Sequence, residues 1–194
     1  LGYYVYSLRP RYDNQIPDLS QINFNTTFRS LSYQGSPPDT LLIYYNRGMA
    51  NCMWVLSNED QNDPYLSYLQ ANLLPLSNLE RIQPTVKDSA YPPQEIFGPQ
   101  PEGTWCSYYQ QADLASQFSD WARVVELGDS ARESGYSPDT LPIQSPHEWI
   151  PFIKGSAHAG RWEEANQITL LAAKVRYREY DARFCELWEE LQSD

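Results

Sequence analysis

Apart from its acids, the 194-residue chain has few side chains able to do chemistry: Cys52, Cys106, Cys185, His147 and His158, beside 25 Asp and Glu. No two cysteines stand at CxxC spacing and two histidines do not complete a structural zinc set, so no metal or other cofactor is expected. Nucleophilic catalysis needs a nucleophile beside an oriented base. His147 lies in Ser145-Pro146-His147-Glu148, where Ser145 and Glu148 have capping-box spacing and the histidine reads as an exposed first-turn residue. His158 lies in Gly155-Ser156-Ala157-His158-Ala159-Gly160, at a helix C-terminus, where a cation is favoured. Nothing in the spacing recommends a Cys106–His158 or Cys52–His147 dyad. Glycosidase chemistry needs two carboxylates across a sugar cleft. With 25 acids some pair always fits, and Asp13, Asp18, Glu59 and Asp60 are candidates only because they flank aromatic segments. No phosphate-cradling glycine loop or zinc-protease signature is present. No active site is expected.

The cysteines carry structural information instead. Cys185 sits in the apolar helical stripe Phe184-Cys185-Glu186-Leu187-Trp188 and reads as a buried free thiol. Cys52 and Cys106 lie in different elements, near Trp54 and beside Trp105. Bonded, they close a 54-residue interval, worth roughly 4 kcal/mol on the chain-entropy model. Unbonded, they are two buried thiols of a reducing compartment. The residues alone leave both readings open.

The elements that must position these residues change in kind along the chain. Leu1-Gly2-Tyr3-Tyr4-Val5-Tyr6-Ser7-Leu8 is far shorter than the ~20 residues of a membrane span. It reads as a first strand, or as the interfacial end of a span lying upstream, since Tyr favours that boundary. Leu1 rather than Met opens the chain, and a processed or excised segment is expected. Ile22, Phe24, Thr26 and Phe28 alternate with polar residues as a half-buried strand. Leu41–Tyr45 and Cys52–Leu56, separated by a glycine-containing loop, predict a hairpin whose continuous apolarity suggests cover on both faces. Asp63-Pro64 predicts a helix start with Leu66, Leu69 and Leu73 on its apolar face, and Ser77-Asn78-Leu79-Glu80 a second short helix. Residues 83–103 are Pro-rich and form the expected boundary between a strand-rich unit (1–82) and a helical unit (104–194).

The helical unit repeats itself. Trp121 and Trp162 lie 41 positions apart, and at the same offset Tyr108 maps onto Trp149, Ala112 onto Ile153, Ala115 onto Ser156, Val124 onto Ala165 and Ala131 onto Ala172. Each unit reads as a helix, a tight turn (Phe118-Ser119-Asp120 or Ala159-Gly160-Arg161) and a second helix opened by Trp. Ala112, Ala115, Gly128 and Ala131 permit close helix approach, with aromatics filling the space between units. This pattern resembles a tetratricopeptide-like repeat. It departs from that family in period, about 34 residues there, with the excess falling in the loop from Ser137 to Pro146. Two units are visible, and the final helix is the expected third stacking partner through Tyr177, Tyr180, Phe184, Trp188 and Leu191.

A second resemblance rests on Tyr44-Tyr45-Asn46, Cys52–Leu56, Phe97-Gly98-Pro99, Trp105–Tyr109, Asp120-Trp121 and Gly160-Arg161-Trp162. Together they are similar to the C-terminal soluble region of bacterial multi-pass membrane proteins of the lipid-linked sugar-transferase kind. The resemblance implies an extracytoplasmic domain following a membrane bundle, with the upstream membrane region of the same protein as one partner. It also favours the Cys52–Cys106 pairing. Without it, a cytoplasmic repeat adaptor is the alternative.

Charge narrows the partners. The net charge of −11 argues against nucleic acid and anionic membrane surfaces. Residues 1–100 carry 6 basic and 9 acidic side chains and residues 101–194 carry 8 and 16, so the excess decorates the helical unit. The 27 aromatic residues fall largely at core spacings. The expected fold is therefore α+β: an N-terminal antiparallel strand unit with a hairpin, packed on a tetratricopeptide-like helical pair plus a capping helix. The expected function is non-catalytic protein or peptide binding in a groove, with Tyr109, Gln110, Asp113, Gln117 and Lys154 as outward candidates. The alternative is a carbohydrate-binding or accessory domain of a sugar transferase, which requires solvent-facing Trp or Tyr beside paired carboxylates.

Overall fold

The structure is a computed structural model and describes residues 24–36, 40–45, 52–83, 93–99, 102–140, 145–175 and 179–193. The Leu1–Leu8 segment, Asp13, Asp18, Ile22, the hairpin loop at 46–51, most of the Pro-rich segment and Tyr177 lie outside these residues.

Two short antiparallel ladders make up the strand unit. β1 (Phe24–Phe28) pairs with β2 (Leu31–Gly35) through a two-residue turn in which Arg29 takes φ 55°. β3 (Ile43–Tyr44) pairs with β4 (Trp54–Val55), and Leu56 N–H continues the ladder to the Leu42 carbonyl at 2.9 Å. The hairpin is thus present, but only one of its faces is covered. Tyr44, Cys52, Trp54 and Leu56 are buried, whereas Ile43, Tyr45 and Met53 are exposed. Period-2 geometry sends alternate side chains to opposite faces, and here the apolar run continues onto the solvent side.

The helix expected at Asp63-Pro64 begins later. α1 (Tyr68–Leu73) starts behind Ser67, whose hydroxyl accepts the Gln70 N–H while the Gln70 side chain accepts the Ser67 N–H. Asp63 caps only a single turn, its Oδ1 accepting the Tyr65 N–H at 2.9 Å and its carbonyl the Leu66 N–H at 3.1 Å, while Oδ2 is committed to tertiary partners. After a 3-10 turn at Leu74–Leu76 comes a second 3-10 helix, Leu79–Arg81, capped by Asn78 rather than Ser77. Ser77 instead accepts the Leu42 N–H through its hydroxyl, tying this turn to the hairpin. A single turn, α2 (Gln94–Phe97), follows within the Pro-rich segment.

The helical unit consists of α3 (Trp105–Gln117), α4 (Trp121–Glu133), α5 (Ile150–His158) and α6 (Trp162–Lys174), closed by α7 (Asp181–Ser193). The 41-residue offset holds at the level of single backbone hydrogen bonds. Asp120 N–H reaches the Ala115 carbonyl at 2.9 Å and Arg161 N–H the Ser156 carbonyl at 2.8 Å, with Ser119 (φ 56°) and Gly160 (φ 75°) left-handed between them. Both are the same helix-terminating turn. α3 packs on α4, α4 on α5, α5 on α6, and α7 covers α5 and α6. The α4–α5 approach needs a glycine: a Cβ on Gly155 would stand 2.4 Å from Val124 Cγ1.

Strand unit and helices share one apolar core. Trp54, Trp105 and Trp149 are buried in it, the last two stacked with centroids 4.4 Å apart. Tyr180, just before α7, and Phe184, Leu187 and Leu191 on it are buried. Cys185 is exposed, not buried, because it follows Phe184 by one position and so points about 100° away around the helix.

Candidate functional site

A polar cleft of about 810 Å³ is lined by residues of α3, α5, α7 and the strand unit. α3 contributes Asp113, Ser116 and Gln117, which share one face by their i, i+3, i+4 spacing. α5 contributes Ile150, Pro151, Lys154 and His158. The opposite wall is built from the turn Ser57–Asp60 and from Arg183, Glu190 and Leu191 of α7. At the rim, Trp121 and His158 stack face to face, 4.1 Å apart and 10° from parallel.

His147 lies at the floor, and it is buried rather than exposed. Its ring stacks on Trp54 at 4.0 Å, and its Nδ1–H donates to Asp63 Oδ2 at 2.8 Å. The Tyr180 hydroxyl donates to the same oxygen at 2.5 Å. Burial by itself would raise Asp63, but the His147 hydrogen bond and charge, with Tyr180 and the Tyr65 N–H, hold it below its ordinary value. Burial by itself would lower His147, but Asp63, Asp60 and Asp113 hold it above its ordinary value. Both shifts favour the charged form of the pair. The pair joins the 60–65 turn, the Pro146–Trp149 3-10 helix and the start of α7.

Asp60 caps its own turn, accepting the Ser57 N–H at 2.7 Å, and stands 3.9 Å from His147 Nδ1. Burial raises its pKa in spite of the His147 charge. Asp113 accepts the Gln117 amide at 3.2 Å, and burial pushes its pKa up to about 6. The cations of the cleft are already engaged: Lys154 Nζ with Glu59 at 2.6 Å and Arg183 Nη1 with Glu190 at 3.4 Å.

Glu148 does not close a capping box with Ser145. It turns into the core, where Oε1 accepts the Cys52 N–H at 3.1 Å and the Trp54 indole at 3.2 Å, and Oε2 accepts the Trp105 indole at 2.5 Å. Burial raises its pKa against these three donors. Cys52 and Cys106 are bonded, with sulfurs 2.14 Å apart and Cα atoms 5.2 Å apart, so neither thiol is available to a histidine.

Of the groove candidates, Asp113, Gln117 and Lys154 line the cleft, and Gln110 is exposed on α3 but not among the lining residues. Tyr109 is not outward. It is 1% exposed, lying one turn below Asp113 on the α3 face that meets the core. Glu59 and Asp60 also reach the cleft. His147 at the floor and Asp63 and Tyr180 beneath it escaped sequence reasoning as a cluster because the partners stand far apart in the chain, 84 positions for His147–Asp63 and 117 for Tyr180–Asp63. A local signal that could have found Asp60's turn is the Ser57-x-x-Asp60 spacing, which forms a capping box in the structure. Among the described residues no helix is long and apolar enough to cross a membrane, and no group of three or more His, Cys, Asp or Glu is arranged to hold a metal ion. No protein-family model, curated protein or solved structure matches the chain.

Proposed function

We propose that this chain is a non-catalytic binding domain that takes a protein segment in the cleft between α3, α5, α7 and the Ser57–Asp60 turn. The observation that carries the reading is that the first helices of both pairs turn their inner faces to one cavity, with Asp113, Gln117 and Lys154 on its walls. Helical repeats bind partners on such inner faces, and the matching turns at the 41-residue offset support a tetratricopeptide-like origin. Binding is favoured over turnover because the groups best suited to catalysis hold the fold together. His147 is fixed to Asp63 and Trp54, and Cys52 is joined to Cys106. The disulfide supports placement in an oxidising, extracytoplasmic compartment, as the attached domain of a membrane protein.

The carbohydrate alternative draws on Trp121, half-buried in the cleft that Asp113 also lines. Its ring already carries His158 on one face, which leaves one face at most for a sugar. Selection of a displayed random peptide library on the immobilised domain, counter-screened on an Asp113→Ala/Gln117→Ala/Lys154→Ala variant, tests the assignment. Enriched peptides that lose binding to the variant support it. Peptides indifferent to the variant, or retention of neutral oligosaccharides in a parallel glycan array, overturn it.

A further inference from the structure

We infer that Arg183 anchors the bound segment, its guanidinium donating N–H groups to a carbonyl oxygen of that segment's main chain; this deepens, and rests on, the binding role proposed above. Arg183 stands in the first turn of α7, on the wall of the cleft. Its side chain is only 3% exposed, and a buried guanidinium, with several N–H donors, is ordinarily saturated with partners. This one is not. Among the described residues its hydrogen bonding is confined to Nη1–H, which donates to Glu190 Oε1 at 3.4 Å. That is long for such a bond, and the Glu190 side chain is 52% exposed. Lys154, by contrast, is spent on Glu59 at 2.6 Å.

The unspent donors open on the cavity. No nitrogen of Arg183 is both sealed from solvent and without a partner, so the small area the residue exposes includes the guanidinium, at the cavity wall. The group that answers these donors is an uncharged oxygen. Glu59, Asp60, Asp113 and Glu190 line the same cavity, and the positive charge of Arg183 already acts on Asp60. An incoming carboxylate or phosphate would meet those acids, and like charges brought together in an interface are costly. A peptide carbonyl supplies an acceptor without a charge, and its hydrogen bond from a cationic donor is stronger than one between neutral groups. Every protein segment offers that carbonyl, so Arg183 fixes where a segment lies whatever its side chains are.

The test uses the whole chain, with heteronuclear NMR following the Arg183 Nε–H group. The probe is acetyl-tetraglycine N-methylamide, which offers a main chain and no side chain; acetate and methyl α-glucoside are the anionic and hydroxyl comparators. The glycine probe shifts the Arg183 resonance in a saturable way, and the comparators leave it in place. Arg183→Lys, which keeps the charge and loses the planar fork, weakens the probe by about 10-fold. In a peptide from the library selection, oxygen is exchanged for sulfur at each carbonyl in turn. Binding to the native chain falls at one position, and that loss vanishes in Arg183→Lys, a coupling that a merely structural arginine would not produce. No response to the glycine probe, acetate moving the resonance in its place, or cleft-dependent peptides with no carbonyl coupled to Arg183 overturns the inference and leaves the binding role standing. A response to the glucoside alone, or absence of any cleft-dependent peptide, overturns both.

Discussion

Two carboxylates set the energetics of the site at the residue scale, in opposite ways. Asp113 is buried, and desolvation outweighs the nearby His147 and Lys154 charges, so its raised pKa means that the folded state binds its proton more tightly than the unfolded chain does. Its charge therefore costs stability above pH 6, and that cost disappears as pH falls from about 6 towards the unfolded value near 4. Asp113→Asn is expected to raise stability by about 1–3 kcal/mol at pH 7 and by little at pH 4, measured by urea unfolding. Glu148 is buried too, but each of its oxygens faces indole or backbone N–H donors. An amide NH2 on either side would oppose a donor, so Glu148→Gln should destabilise by about 2–4 kcal/mol although the shapes match. The His147–Asp63 pair gives a third signature. Asp63, held low, loses its contribution as pH falls below its ordinary range; His147, held high, loses its own as pH rises past its ordinary value. Stability referred to a His147→Gln variant should peak between these limits, and a flat difference across pH would contradict the ionic pair.

The two helix hairpins can be compared directly at the element scale because the chain supplies its own control. The same turn is made with Ser119 in one pair and Gly160 in the other, both at positive φ. Ser119→Gly should stabilise, and Gly160→Ser destabilise, by about 0.5–1 kcal/mol each in thermal unfolding. Gly155→Ala should cost more, roughly 2 kcal/mol, because its Cβ meets Val124, and Val124→Ala in the same chain should recover part of the loss. These elements were legible in the sequence because their signals are local: Trp spacing, small residues and a turn that repeats within 41 positions. Asp113, Gln117 and Lys154 were legible for the same reason, since helical periodicity alone places them on inner faces. The misreadings share a cause. Asp63 has the signature of a helix cap and Glu148 that of a capping box, yet both carboxylates are claimed by partners from distant parts of the chain, while Tyr109, which reads as outward, is taken into the apolar core. Tertiary demand outweighs local preference where buried polar groups need hydrogen bonds.

At the scale of the whole molecule, the disulfide and the Glu148 cluster bind the strand unit to the helices at one place. Cys52 closes a 54-residue interval with Cys106, a constraint on the unfolded chain worth about 4 kcal/mol. Cys52→Ala/Cys106→Ala should lower the urea midpoint accordingly, with the α-helical circular dichroism of the native state retained. Glu148 gathers the backbone of Cys52, the indole of Trp54 beyond it and the indole of Trp105 beside Cys106. A change at any one of these five positions removes the reason for the others, so lineages descended from a common ancestor should keep or lose them as a set. The spaced pattern Cys-x-Trp, Trp-Cys and His-Glu-Trp, read here from residues 52–54, 105–106 and 147–149, is therefore a fingerprint by which kin of this chain can be sought where overall identity has faded.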